Sequence, residues 1–379
     1  MTSLSRLNTV FKYLHFDREI IILCVRWYVS YKLSCRDLVE MMAERGVELA
    51  HTAVLGRVQR FISEESMGDK ELTVFCMTPS PYREDGLLDE EALRVHLRRL
   101  VAARTGLFLC SGGAGEAHVL TPKEMGRIYK VGVEEAKGKV PVYAGLRESR
   151  SAAAMYEVAK EAIDAGVDAV QIYQLDNGHG MIPNAREQEA YWRELLDEIH
   201  IPVAISIHYD AKFRASTRLL QDLVARYKQI CAFNLVGSQV AYFLELREAI
   251  PESIKFYCGV PEFVQYATLG AAGYINPAGN IIPYVCRRLV DAWMAGDLQQ
   301  VSQSNCTIQR FLRIVNQWAP STARWVKMGM KVKGLGNGVL RLPYLLPPEE
   351  ELRKMAVQFA ALRIDEMEAQ AAAYVRGHA

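Results

Sequence analysis

The 379-residue chain has almost no net charge, no paired cysteines and no long apolar run, and each absence removes a class of function. Forty-five Lys and Arg against 44 Asp and Glu leave a formal charge of +1. No whole-chain field therefore draws the protein to nucleic acid or to an anionic membrane. The eight cysteines, at 24, 35, 76, 110, 231, 258, 286 and 306, include no CxxC pair. That argues against a disulfide frame or a zinc knuckle and for thiols in a reducing cytoplasm. No apolar stretch reaches the roughly 20 residues that cross a bilayer. The run at 20–25 lies between Glu19 and Arg26 and is too short for an anchor or a secretory signal. No HxH or HExxH spacing occurs, so neither a metal nor any other cofactor is expected. What remains is a globular chain, 50% hydrophobic and 23% charged, with the length of one large domain or two ordinary ones.

The pattern changes near residue 67. Before it, residues 18–31 carry apolar side chains at helical spacing, and Ser34 stands as an N-cap before 36–45. Gly46 then gives a stop, and His51–Thr52 restarts a helix over 54–61. Such a pair makes a helix-turn-helix candidate, but nine basic against eight acidic residues in 1–66 lack a DNA reader's basic footprint. The segment FDREIIILCVRWYVSYKLSCRDLVEMMAERGVELAHT resembles the N-terminal part of insertion-sequence transposases over about residues 11–61. The acidic catalytic domain that those enzymes need is absent, so the resemblance implies a fused remnant ahead of an older start at Met67.

From residue 71 onward short apolar runs alternate with amphipathic stretches. The runs cover 72–77, 106–110, 140–145, 169–173, 203–208, 230–236, 255–258 and 273–275. Between them, 89–103, 123–136, 151–166 and 184–199 read as helices. Eight strand–helix units over roughly 230 residues predict an α/β fold, a (β/α)8 TIM barrel. A helical C-terminal extension follows, with helices over 301–318 and 347–376 and a Lys/Gly-rich turn at 328–338. The expected division is a short all-α N-terminal segment (1–66), the barrel (67–300) and the extension (301–379).

In a parallel barrel the strands' C-terminal ends carry the chemistry. Strand two ends in Ser111, Gly112, Gly113, Ala114, Gly115 and Glu116, whose backbone N–H groups suit an anion or oxyanion. Strand three offers Arg147, which suits a carboxylate, with Glu148 beside it. Alternation turns Gln171 and Tyr173 of strand four inward, with Gln174, Asp176 and His179 after them. Strand five gives Ser206 and His208, then Tyr209, Asp210 and Lys212, so His208 is the candidate general acid or base with Asp210 steering it. Asn234 is the one strongly polar inward residue of strand six, and Asn276 ends strand eight.

Several of these residues also carry a likeness. Thr78-Pro79 with Asp85-Gly86, residues 112–116 with Leu120-Thr121 and Glu124, Pro141-Val142 with Ala144-Gly145, and Ala295-Gly296-Asp297 resemble the dihydrodipicolinate synthase/N-acetylneuraminate lyase family over about 71–350. The resemblance implies a barrel with a helical extension, assembled as a dimer or tetramer, and Schiff-base chemistry on a strand-six lysine. That lysine's position falls on Asn234, which cannot form an imine. The strand-five tyrosine falls on Ser206, the paired hydroxyl residues on Gly113 and Ala114, and the Pro-Tyr-Tyr segment on Leu175, Asp176 and Asn177. The expectation is a lyase-type enzyme doing acid–base chemistry on a small oxygenated substrate, with no nucleic-acid or membrane partner. Two alternatives stand beside it: an imine on a relocated Lys212, and a barrel that binds a small molecule without turning it over.

Overall fold

A computed structural model describes residues 72–378 apart from 137, 150, 176–181, 208–214, 238 and 319–320. The readings made on 1–66 lie outside the described residues. Eight strands close a parallel barrel in chain order: β1 (Thr73–Met77), β2 (Gly106–Leu109), β3 (Val142–Gly145), β4 (Ala169–Ile172), β5 (Val203–Ser206), β6 (Ile230–Asn234), β7 (Lys255–Gly259) and β8 (Gly273–Asn276). The helices between them are α1 (Glu90–Ala102), α2 (Pro122–Ala136), α3 (Ala152–Ala165), α4 (Ala185–Glu198), α5 (Thr217–Arg226), α6 (Val240–Ala249), the short α7 (Phe263–Ala267) and α8 (Pro283–Met294). The eightfold alternation in the sequence is thus the barrel it predicts.

Period-two alternation decides which side chains fill the barrel. Phe75, Phe108, Tyr143, Ala169, Ala204, Ala232, Tyr257 and Ile275 point inward and form one packed layer, with the Phe75 and Tyr143 rings 4.4 Å apart. Their neighbours Val74, Leu107, Val170, Ile172, Ile205 and Phe233 join the outer core against the helices. Helix entries are capped by side chains: Asp89 accepts from the Ala92 N–H, and Asn184 with Glu187 completes a reciprocal capping box. Gly273 closes the ring between β8 and β1. Its φ is +140°, and an added Cβ would lie 1.9 Å from the Thr73 carbonyl oxygen, so only glycine fits.

The extension comprises α9 (Leu298–Val315), α10 (Thr322–Val332), α11 (Glu349–Ala361) and α12 (Ile364–Gly377). Two expectations change here. The stretch expected to turn from 328 is helical as far as Val332, because Met328 and Met330 are buried. The single helix expected over 347–376 is two, broken at Arg363, whose φ of +56° starts α12 from the left-handed region. α12 packs against α8, where the Glu368 carboxylate accepts from the Tyr284 and Val285 N–H groups at 2.8 and 3.1 Å.

Candidate active site

One turn of the pleat above Ala169, Ala204 and Ala232, the same three strands each carry a polar residue at or next to their ends: Gln171, Ser206 and Asn234. All three are buried, at 1, 2 and 6% exposure. Register sets Ser206 directly opposite Asn234. The Asn234 Nδ2 donates to Gln171 Oε1 at 3.3 Å, spanning β5. Asn234 Oδ1, by contrast, meets no donor among the described residues. Buried polar groups are nearly always paired, so a lone acceptor at the end of a barrel strand marks a site.

Tyr173 follows β4 and stands beside this layer. Burial pushes its phenol far above the ordinary range, and the Glu148 carboxylate acts in the same direction. Hydrogen bonding from the Gly112 backbone and the Gln171 side chain works the other way, favouring the ionised form. Glycine at 112 is what brings Glu148 close, because an added Cβ there would lie 2.4 Å from Glu148 Oε1. The loop itself is tightly built. Cys110 and Glu116 both hold positive φ, at 52 and 55°. The Gly115 N–H donates to Ser111 Oγ at 3.1 Å, and Ser80 Oγ donates to the Gly115 carbonyl at 2.8 Å. The Gly115 amide is therefore used inside the loop, which narrows the expected oxyanion cradle to its start.

The end of the loop is gripped from the extension. Lys327 on α10 reaches Glu116 with Nζ 2.5 Å from Oε2, the two side chains being 4 and 1% exposed. The same ammonium donates to the Val339 carbonyl at 2.8 Å and lies 4.0 Å from the Tyr82 ring centre. Burial lowers the Lys327 pKa to about 8 against the attraction of Glu116, and burial raises that of Glu116. Arg341 also lies over the Tyr82 ring, 4.4 Å from its centre, and donates to Glu124 Oε2 at 3.0 Å. On the far rim, Glu262 folds back over the end of β7, its Oε2 2.7 Å from where a Gly259 Cβ would be. Burial raises its pKa, and no cation among the described residues pairs with it.

Comparison with known proteins places the chain. The dihydrodipicolinate synthetase family profile matches residues 70–362. The chain belongs to this family. It is 25% identical over 292 residues to the 4-hydroxy-tetrahydrodipicolinate synthase of Chlorobium phaeovibrioides, spanning 75% of this chain and 94% of that one. The dihydrodipicolinate synthase of Aquifex aeolicus superposes with a TM-score of 0.70 at 20% identity, covering 77% of this chain and 98% of its own. The 4-hydroxy-tetrahydrodipicolinate synthase of Methylacidiphilum fumariolicum also gives 0.70 at 20% identity, over 81 and 99%.

Within that family frame, the residues expected at the mouth divide into three groups. Asn234, Ser206, Tyr173, Ser111 and Gly112 come together where β2, β4, β5 and β6 end; Gln174 follows Tyr173, buried, and Gly113 lies under Thr322 of α10. His208, Tyr209, Asp210, Lys212, Asp176 and His179 lie outside the described residues. The other four, Asn276, Glu116, Ala114 and Arg147, meet partners within the fold. Asn276, expected to bind substrate at the mouth, turns outward instead: its Nδ2 donates to the Phe75 carbonyl at 3.1 Å and its Oδ1 accepts from the Gly279 N–H at 2.7 Å. Glu116 is taken up by Lys327, and Ala114 packs in the core at 0% exposure. Arg147 Nη1 lies 3.5 Å from the Leu120 carbonyl. The reading of single strand ends missed Lys327 and Glu262. Only the Gly259 before Glu262 signalled either, as a strand end left open for a neighbouring carboxylate.

Proposed function

We propose that the protein is a lyase that moves protons on a small oxygenated substrate without forming an imine. The carrying observation is the end of β6, where the inward residue is the amide Asn234, bonded to Gln171 rather than bearing an amine. An amide nitrogen is not a nucleophile toward a ketone, and the family resemblance puts the lysine nucleophile at this strand end. The reaction is an elimination or hydration, an isomerisation or a C–C cleavage, each of which needs one group to take a proton and another to give one. His208, with Asp210 beside it, takes the proton. Tyr173, whose phenol burial keeps protonated, gives one, and the Gly112 N–H and the Gln171 side chain partly offset the cost of the phenolate that results. Ser206 and Gln174 hold the substrate with Asp176, Tyr209 and Lys212, and Arg147 receives a carboxylate if the substrate has one. The active form is a cytoplasmic homodimer or homotetramer, and the segment 1–66 is a passenger without a nucleic-acid role.

A screen of small hydroxy acids and polyols, with any oxo product trapped by dinitrophenylhydrazine, tests the reading. Turnover is expected for at least one member, unaffected by prior borohydride treatment with pyruvate, and at least about a hundredfold slower in His208→Ala. No turnover of any member, or a His208→Ala rate within a few-fold of the parent, would overturn it.

A further inference from the structure

The amide chain at the barrel mouth has a direction. Gln171 Oε1 faces Asn234, which leaves its nitrogen toward Tyr173, where the same side chain favours the ionised phenol as a donated N–H would. That oxygen accepts from Asn234 Nδ2 at 3.3 Å. Turning the Asn234 amide over would set two carbonyl oxygens against each other at that distance. Asn234 Oδ1 is therefore the open end of the chain, on a side chain 6% exposed, with no donor among the described residues. A buried acceptor without a donor is costly, and a bound molecule that supplies the donor recovers that cost. Asn234 Oδ1 is thus an acceptor waiting for a hydrogen.

We infer that Asn234 Oδ1 binds a neutral hydroxyl of the substrate, so that the site selects an alcohol over the corresponding ketone or amine. A ketone offers a second lone pair to Oδ1 and no hydrogen. An ammonium group would bring a full charge into a buried layer whose members Gln171, Ser206 and Asn234 are neutral. Directly below the three polar residues the inner layer presents Ala169, Ala204 and Ala232, whose side chains offer no hydrogen bond. The inference rests on the proposed imine-free reading and names its substrate class, a compound with a hydroxyl on the carbon held at the end of β6.

Three probes of one skeleton decide it: L-lactate, pyruvate and L-alanine, with glycerol against dihydroxyacetone as a second pair. Each is added at about 10 mM to the full-length protein and the unfolding midpoint is read. At least one hydroxyl probe is expected to raise the midpoint by about 2 °C or more over its oxo and amino counterparts, with the gain lost in Asn234→Leu. Equal or larger shifts from pyruvate, dihydroxyacetone or alanine, no shift from either hydroxyl probe, or a shift that survives Asn234→Leu, overturns the inference. A second measurement needs no ligand. Removing both amides in Gln171→Leu/Asn234→Leu is expected to lower the midpoint by no more than about 5 °C, since the unpaired oxygen goes with its neighbour and the Tyr173 oxygen keeps the Gly112 N–H. A fall of more than about 5 °C would show that the oxygen is bonded within the fold and would overturn it too. Trapping of an imine by borohydride would instead remove the acid–base reading, a result distinct from any of these midpoints.

Discussion

The Lys327–Glu116 pair joins the extension to the barrel mouth, and its energetics can be worked from the two side chains. Both are almost fully buried with Nζ and Oε2 2.5 Å apart. Burial raises the pKa of Glu116 and lowers that of Lys327 to about 8, so each charge is held at a cost that its partner only partly offsets. Removing one partner strands the other. Lys327→Met leaves Glu116 without its ammonium and the Val339 carbonyl without its donor, a loss of about 3–5 kcal/mol for a broken buried pair. Arg341, which also lowers the Glu116 pKa, keeps the loss near the lower end, about 3 kcal/mol. Glu116→Gln costs less, about 1.5 kcal/mol, because a lysine already near deprotonation can shed its proton. Glu116→Gln/Lys327→Met is expected to lose no more than about 1 kcal/mol against the parent, giving a coupling of about 4 kcal/mol. Urea unfolding of the four full-length proteins measures the cycle. Losses that simply add in the double variant would refute the reasoning. The pH dependence supplies a second reading. Between about 8 and 10.5 the unfolded chain carries a proton on this lysine that the folded chain lacks. Its contribution to stability therefore rises with pH across that window, and the rise disappears in Lys327→Met.

Two further expectations follow from the same kind of argument. Glu368 has its pKa raised from 4.5 to about 7 by burial, against the two backbone N–H groups that it accepts from. The folded chain holds that proton where the unfolded chain does not, so stability present below pH 4.5 is lost as pH rises through 7, on the order of 3 kcal/mol. Unfolding midpoints of the parent and Glu368→Gln, compared from pH 4.5 to 7, should diverge by that trend, and parallel curves would contradict it. Gly273→Ala puts a Cβ 1.9 Å from the Thr73 carbonyl at a φ of +140°, and is expected to cost about 4 kcal/mol or more. Soluble expression with an unchanged melting curve by circular dichroism would contradict the closure of the barrel at that point.

The sequence is most legible where a periodic pattern meets a rigid scaffold. Each of the eight apolar runs became a strand, and alternation correctly turned Gln171 and Asn234 inward, because a barrel admits one inward face per strand. It is less legible where the deciding partner is remote in the chain. Nothing near Glu116 announces that Lys327, on a helix of the extension, will take its carboxylate, so a residue read as substrate-binding proves to anchor the loop. Asn276 misled for a related reason. It ends β8 with an outward side chain, and its amide closes the turn to Gly279 instead of facing the mouth. The direction of the Gln171–Asn234 chain was hidden as well, since an amide offers both a donor and an acceptor until its neighbour is known.

The central claim is that catalysis proceeds without an amine nucleophile, and one measurement meets it head on. The full-length protein is incubated with pyruvate and with a panel of other 2-oxo acids, reduced with borohydride, and weighed intact. The account predicts an unchanged mass for every acid, because the β6 end presents the Asn234 amide hydrogen-bonded to Gln171. A stable gain equal to one reduced oxo acid, mapped by peptide sequencing to Lys212 or to any other lysine, would contradict it.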